Sequence, residues 1–493
     1  MNQDPANLYD AYAARDSRFD GVFFVGVTST GIYCRPVCPA KTPRRANCRF
    51  FPSAAAAEQA RFRPCLRCRP ELAPGNAPVD GAQRIAAAIA RRIGESAVID
   101  GAGLEEIAAE FRLSSRQVRR IVQGQLGVSP IGLVLTRRLL LAKQLLTETR
   151  VPVSEVAYAS GFASLRRFND AFRAHYGMPP TRLRREVEHA QPRAVQASGE
   201  PLTLRLAYRP PFDWAGILAF LRGRALSGVE QVGEDEYLRT VRLGAHAGWI
   251  RVRPAPRGHV LLVDLTPSLV PALPALLGRL RDLFDLDARP DAINARLARD
   301  PLLAPAVARN PGLRVPGAFD GFELAVRAVL GQQVTVAVAT AIAGRLAERF
   351  GDPIETPHAG LRRLAPTAER LAAAEVDELG ALGVIGARGR CIIALAGEVA
   401  AGRLRLSPGP RPEAVIEQLV ALPGIGPWTA QYIALRALRW PDAFPKEDSA
   451  LRKRLGSIGP ARAEETSKAW RPWRSYATLH LWSMQLTAAP EVS

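Results

Sequence analysis

Four cysteines in two close pairs constrain this 493-residue chain more than any other feature. Cys34 and Cys38 have three residues between them, Cys65 and Cys68 have two, and 26 residues separate the pairs. That is the ligand spacing of a tetrahedral four-thiolate zinc site. A segment as small as 1–76 has little core of its own, so a metal would supply much of its stability. A purely structural knuckle satisfies the spacing. The neighbouring residues point to a more reactive site. The first pair lies in Thr30-Gly-Ile-Tyr-Cys34-Arg-Pro-Val-Cys38-Pro and the second in Phe62-Arg-Pro-Cys65-Leu-Arg-Cys68-Arg-Pro. Arg35, Arg63, Arg67 and Arg69 set positive charge beside sulfur, which favours the nucleophilic thiolate. The same guanidiniums suit a phosphate.

The remaining composition narrows the class. The length exceeds one ordinary core and allows three or more domains. No run reaches the roughly 18 to 20 apolar residues of a membrane span, and Met1-Asn-Gln-Asp-Pro5 has no signal-peptide pattern. Six cysteines, four of them in a metal pattern, fit a reducing cytoplasm better than a disulfide scaffold. The net charge is +19, with 11 basic against 7 acidic residues in 1–80, 17 against 10 in 81–190, and 38 against 30 in the rest. Each segment is therefore basic enough to meet a polyanion by itself.

In chain order, Phe19–Thr28 alternates and is β-branched or aromatic, which predicts a strand. A short helix is expected over Ala54–Ala60, and Pro74–Pro78 reads as a linker. The cysteine motifs of this segment resemble the N-terminal domain of the Ada family over most of residues 8–76. The resemblance implies one zinc held by Cys34, Cys38, Cys65 and Cys68. It implies that Cys34 accepts a methyl group irreversibly from methylphosphotriesters in DNA. Losing one negative charge would then tighten DNA binding. Cys48 falls outside the pattern and reads as structural.

Residues 81–187 carry two helix-turn-helix patterns. In the first, Leu104–Ile121, Ile107, Ala108, Leu113, Val118 and Ile121 share a face, and Ser114 suits the N-cap of the second helix. Ser115, Arg116 and Arg119 then open a recognition helix, where a major groove is read. In the second, Val153–Phe172, Gly161 supplies the turn, and Ser164, Arg166, Arg167 and Asn169 are the candidate contacts. A long apolar helix, Ile131–Leu146, joins them. One such helix pair is weak support, since core packing produces many. Two in register, followed by Tyr176-Gly-Met-Pro-Pro-Thr-Arg-Leu-Arg184, resemble the AraC-type DNA-binding domain.

Beyond a linker at 188–202, Tyr237–Leu243, Gly248–Val252 and His259–Leu265 predict strands, and Trp214–Gly223 and Leu269–Phe284 predict helices. Residues 317–400 and 414–482 read as mainly helical. Leu422-Pro-Gly424-Ile-Gly426-Pro-Trp428-Thr-Ala-Gln-Tyr432 sits between two helical runs. Gly-x-Gly permits a tight turn, and the N–H groups opening the next helix suit a DNA phosphate. A helix–helix turn explains Gly-x-Gly alone equally well. Asp448 follows 20 positions after Trp428, and Trp470–Trp482 is unusually aromatic. Together with Pro-Phe-Asp-Trp214 and Arg327-Ala-Val-Leu-Gly-Gln332, these pieces resemble the AlkA family of 3-methyladenine DNA glycosylases II from Leu204 to about Leu486. By position, Asp448 would be the catalytic carboxylate, Trp428, Tyr432, Trp482 and Gln332 the base pocket, and Gln333, Gly424 and Gly426 DNA contacts. Arg35 and Arg67 join the contacts expected at the zinc site. Bifunctional relatives carry a lysine where this chain has Trp428, which implies a monofunctional hydrolase that leaves an abasic site. Gln333, Ser449 and Ser483 depart from the family pattern of an apolar wedge and two tyrosines. By itself Asp448 would read as a helix N-cap.

The expected architecture is multidomain and mainly α. It comprises an α+β zinc domain (1–76), an all-α double helix-turn-helix domain (81–187), an α/β subdomain (203–310) and a glycosylase domain with a helix-hairpin-helix core (311–488). The expected function is a methyl-sensing transcription activator fused to an alkylbase glycosylase. Two alternatives stand beside it: a regulator whose glycosylase-like half only binds DNA, and a glycosylase whose first half only targets it. Zinc is the one cofactor expected, with none for base excision. Expected partners are alkylated and promoter DNA and RNA polymerase, with no membrane, for a cytoplasmic, nucleoid-associated monomer. The only cysteine after Cys68, Cys391, lies in Gly-Arg-Cys-Ile-Ile, a core pattern, so direct reversal of O-alkylguanine is not expected.

Overall fold

A computed structural model describes residues 5–75, 81–95, 101–190, 200–409 and 411–484. The chain divides into two compact units: residues 1–210, 241–281 and 286–288, and residues 211–240, 282–285 and 289–493.

In the first unit a small sheet creates the cysteine cluster. Its strands are β1 (Phe24–Val27), β2 (Ile32–Cys34), β3 (Cys48–Phe51) and β4 (Arg63–Pro64), in the order β3-β1-β2-β4. β1 runs antiparallel to β2 and β3, while β2 and β4 run parallel, pairing Ile32 with Arg63 and Tyr33 with Pro64. This parallel step places Cys34, the last residue of β2, beside Cys65, which follows β4, and the Cys65 N–H donates to the Tyr33 carbonyl at 3.0 Å. The strand expected over Phe19–Thr28 is shorter. Ser17–Phe19 is a 3-10 turn and Gly21 adopts φ +74°, which breaks the extended run before β1. The Ala54–Gln59 helix, capped by Ser53, lies between the cysteine pairs as expected.

Among the described residues seven helices follow, from Gly81–Glu95 to Pro180–Ala190. In the first helix-turn-helix, Gly101–Glu110 and Ser115–Leu126 pack Ile107, Ala108, Phe111 and Val118 into one core. Ser114 and Gln117 form a reciprocal capping box. In the second, Gly161 turns at φ +86° between Val153–Ala159 and Leu165–Tyr176, and Ser164 caps the latter. The joining helix runs Pro130–Glu148. Of the two expected linkers, 76–78 and 191–199 lie outside the described residues. Glu188–Ala190 are helical, and Leu202 opens a strand.

The larger sheet has the order β5 (Leu202–Ala207), β9 (Val260–Leu265), β8 (His246–Pro254), β7 (Tyr237–Leu243) and β6 (Glu230–Val232). Leu202, Leu204 and Leu206 are buried on β5, and Arg205 between them is exposed. The helix expected over Leu269–Phe284 is a 3-10 segment, Pro267–Ala272, followed by a helix over Leu273–Leu283. Pro271 lacks the N–H that one continuous helix needs.

In the second unit, a mainly helical core joins Gly321–Leu330, Val336–Phe350, Gly386–Ala400, Pro412–Val420 and Pro427–Arg436. Cys391 is buried in it, as its sequence context predicts. Burying that many Leu, Ile, Val and Phe side chains, each stabilising by roughly 1.5–3 kcal/mol, gives the hairpin a rigid support.

Candidate functional site

The first site is the cysteine cluster. The Sγ atoms of Cys34, Cys38, Cys65 and Cys68 lie within 4.8 Å of one another, and all four residues are buried. This donor set fits tetrahedral zinc. The cluster has the N–H donors that thiolates require. Arg35 N–H points at Cys68 Sγ (3.3 Å), Arg67 N–H at Cys65 Sγ (3.4 Å), and the Ala40 main chain at Cys38. Among the described residues no N–H points at Cys34 Sγ.

The four arginines of these motifs divide. Arg63 and Arg67 are exposed. The Arg35 side chain is buried. It pairs with the Asp20 carboxylate and donates to the Cys68 carbonyl at 3.0 Å. Its donors are thus directed into the fold, in contrast to the DNA contact expected of it. Arg69, at φ +55°, pairs with Glu71 and Glu148. Cys48, at the start of β3, donates its thiol to the Arg44 carbonyl and packs against the core that holds the cysteine cluster, consistent with its structural reading.

The recognition-helix residues also divide. Arg116, Arg119, Arg166 and Arg167 are exposed, and Ser115 and Asn169 half-buried. The Ser164 hydroxyl is used as a cap, accepting the Arg167 N–H at 3.3 Å.

The second site is built by the hairpin. The Pro412–Val420 helix ends, Gly424 turns at φ +93°, and Gly426 caps the Pro427–Arg436 helix. A Cβ on Gly424 would lie 3.0 Å from Cys391 Cβ, so this turn packs directly on the core. Trp428 and Tyr432, one helical turn apart, stack at 5.3 Å with an interplanar angle of 7°. Trp482 lies 6.4 Å from Tyr432. Both indoles converge on one carboxylate: Trp428 Nε1 donates to Asp448 Oδ2 at 2.9 Å, and Trp482 Nε1 to Asp448 Oδ1 at 3.2 Å. Asp448 is also the N-cap of Ser449–Arg454, accepting the Leu451 N–H at 2.7 Å. The N-cap that the sequence suggests for Asp448 is therefore formed, and the same carboxylate also receives both indoles.

Burial raises the Tyr432 phenol, but the Arg436 and Arg224 guanidiniums outweigh it and leave it below the usual phenol range. Gln332 donates through Nε2 to the Gly424 carbonyl (2.8 Å) and Thr429 Oγ1 (3.1 Å), so it braces the hairpin. Gln333 is exposed at φ +55°. Ser449 and Ser483 are both exposed, and the Ser483 hydroxyl donates to the His480 carbonyl.

Four family models match the chain in order: the metal binding domain of Ada (residues 7–71), a helix-turn-helix domain (107–186), the AlkA N-terminal domain (203–320) and the HhH-GPD superfamily base excision DNA repair protein (326–474). A Mycobacterium tuberculosis protein described as "Probable bifunctional transcriptional activator/DNA repair enzyme AlkA" is 41% identical over 490 residues, which is 98% of this chain and 97% of that protein. The chain belongs to this bifunctional Ada/AlkA family. The DNA-3-methyladenine glycosylase 2 of Escherichia coli is 37% identical over 277 residues, 56% of this chain and 95% of that enzyme. The solved 3-methyladenine DNA glycosylase of Archaeoglobus fulgidus shares the fold over 56% of this chain and 96% of its own, at TM-score 0.50 and 21% identity.

The expected combination therefore stands: this Ada/AlkA protein joins zinc-binding and helix-turn-helix regulatory domains to an AlkA-type glycosylase domain. No helix among the described residues is long and apolar enough to cross a membrane. Sequence reading overlooks the charged groups buried around the sites, Asp20, Lys143, Glu148, Arg209 and Arg436 among them. Charged side chains normally read as surface, and their partners lie far away in sequence.

Proposed function

We propose that Cys34 is the methyl acceptor and that Asp448 drives base excision. For the first, zinc, when bound, keeps the four sulfurs deprotonated at neutral pH. Cys34 carries the proposal because its sulfur alone in the cluster receives no N–H, so its electron density is least shared. Its sulfur attacks the methyl carbon of a DNA phosphotriester, the C–O bond breaks, and the phosphodiester anion leaves. A thioether remains, and the site has lost one negative charge. Exposed Arg63 and Arg67 are suited to hold the phosphate. The gain in DNA affinity then drives activation at promoters, with RNA polymerase as the partner. A single zinc site serves this chemistry.

For the second, the grip of two indole N–H groups on Asp448 carries the proposal. They fix a carboxylate beside aromatic faces, where a flipped, alkylated base would bind. Aromatic faces favour a cationic ring by about 0.5–2 kcal/mol. As the glycosidic bond breaks, Asp448 stabilises the positive charge on the sugar, and water completes the hydrolysis. Trp428 offers no amine, so the product is an abasic site without strand cleavage. No cofactor is needed for this step.

Incubation with methylated DNA tests both chemistries in one sample, by mass spectrometry of the Cys34 peptide and by assay of released bases. Asp448→Asn should lower base release at least 100-fold and leave Cys34 methylation intact. Wild-type protein that releases no base would overturn the excision reading.

A further inference from the structure

In the first unit, the zinc domain meets the AlkA-type N-terminal region through buried charge. Arg209 follows β5 and is fully buried. Its guanidinium donates to four main-chain carbonyls: Asp20 (2.9 Å), Asp287 (3.0 Å), Ala288 (3.2 Å) and Pro74 (3.5 Å). Asp20 and Pro74 belong to the zinc-domain segment, Asp287 and Ala288 to the AlkA-type region. Next to it, the Gly75 N–H donates to Asp287 Oδ1 at 2.9 Å. A second contact lies on β5, which is the edge strand of the larger sheet. Glu148 Oε2 accepts the Arg205 N–H at 3.1 Å, and Gln144 Nε2 donates to the Arg205 carbonyl at 3.0 Å. Both side chains come from the Pro130–Glu148 helix, and Glu148 also holds Arg69 of the zinc domain.

A buried guanidinium is costly unless its donors are used, and an open sheet edge is a liability unless covered. Here both needs are met across the boundary between regulator and glycosylase. The path continues to the cluster. Asp20, whose carbonyl Arg209 reads, holds Arg35 with its carboxylate, and the Arg35 peptide N–H sits on Cys68 Sγ.

We propose that this is a built interface: the zinc domain and the joining helix dock on the β5 edge and the 286–288 segment, so the order of that segment depends on the state of the thiolate cluster. The proposal needs zinc at the cluster but does not depend on methyl transfer or base excision.

Hydrogen exchange on the full-length chain tests it, with zinc content measured in each sample. Removing zinc with a chelator under reducing conditions should raise exchange at least 10-fold in peptides covering 200–210 and 284–288, as well as within 5–75. Arg209→Gln, still loaded with zinc, should reproduce the increase at 284–288 while residues 32–38 stay protected. Should Arg209→Gln fail to fold, Gln144→Leu provides the second variant, with zinc retained and faster exchange confined to 200–207. Faster exchange within 5–75 alone on chelation, with 200–210 and 284–288 unchanged, would overturn the interface. So would zinc-loaded Arg209→Gln or Gln144→Leu exchanging like wild type at these segments.

Discussion

His480 lies 1% exposed on the helix that carries Trp482, and burial lowers its pKa to about 4. The unfolded chain takes up that proton near pH 6.5, the folded chain only near pH 4. The stabilisation is therefore complete above pH 6.5 and is lost as pH falls through that window, by up to about 3 kcal/mol. Thermal melts between pH 7 and 5 should show the loss, and His480→Phe should flatten that part of the profile. A slope identical in the variant would remove His480 as its cause. Gly424 is constrained differently, by a backbone at φ +93° and by Cys391 beneath it. Gly424→Ala should cost about 1–3 kcal/mol in left-handed strain. It should also weaken binding to a duplex containing an abasic site, which a titration would read.

At the scale of elements, much of the plan is legible in local pattern. The Ser114 N-cap, the Gly161 turn, the hairpin glycines and the cysteine spacing are short-range devices, and each shapes the chain where the sequence places it. Strand β7 spans the predicted Tyr237–Leu243, and the joining helix exceeds its prediction by a residue or two at each end. Strands β2 to β4 are less legible, because two to four residues carry too little alternation to stand out. Long-range pairing is not legible at all. Lys143, in the joining helix, is 1% exposed, donating to Glu71 Oε2 at 2.7 Å and to the carbonyl of Cys65 at 3.1 Å. Burial pushes the Glu71 carboxyl up, but Lys143 and Arg69 hold it below the usual range. Lys143→Met should therefore destabilise by about 1–3 kcal/mol, since Oε2 of a buried carboxylate loses its ammonium partner while Arg69 still holds Oε1. Lys143→Met with Glu71→Leu should recover much of that loss. Denaturant unfolding of the two variants is the check, and a double variant no more stable than the single one would refute the pairing argument.

For the whole molecule, charge is the property that all segments share. Net charge +19 spreads over the zinc, helix-turn-helix and glycosylase segments, so DNA affinity should be strongly salt-dependent. About six phosphate contacts would give a slope near −5 in log K against log salt. Methylation of Cys34 tests whether charge also runs the switch. A thioether at Cys34 would remove one negative charge from a cluster flanked by exposed Arg63 and Arg67. If lost repulsion drives the gain in affinity, the gain should be large at 50 mM salt and shrink toward 1 M, where the screening length falls to roughly 3 Å. Titrating methylated and unmethylated protein with one duplex across that range measures it. A Cys34→Ser variant should show no gain at any salt and still excise bases. A gain that stays constant with salt would assign the switch to a change of shape at the cluster instead of a change of charge.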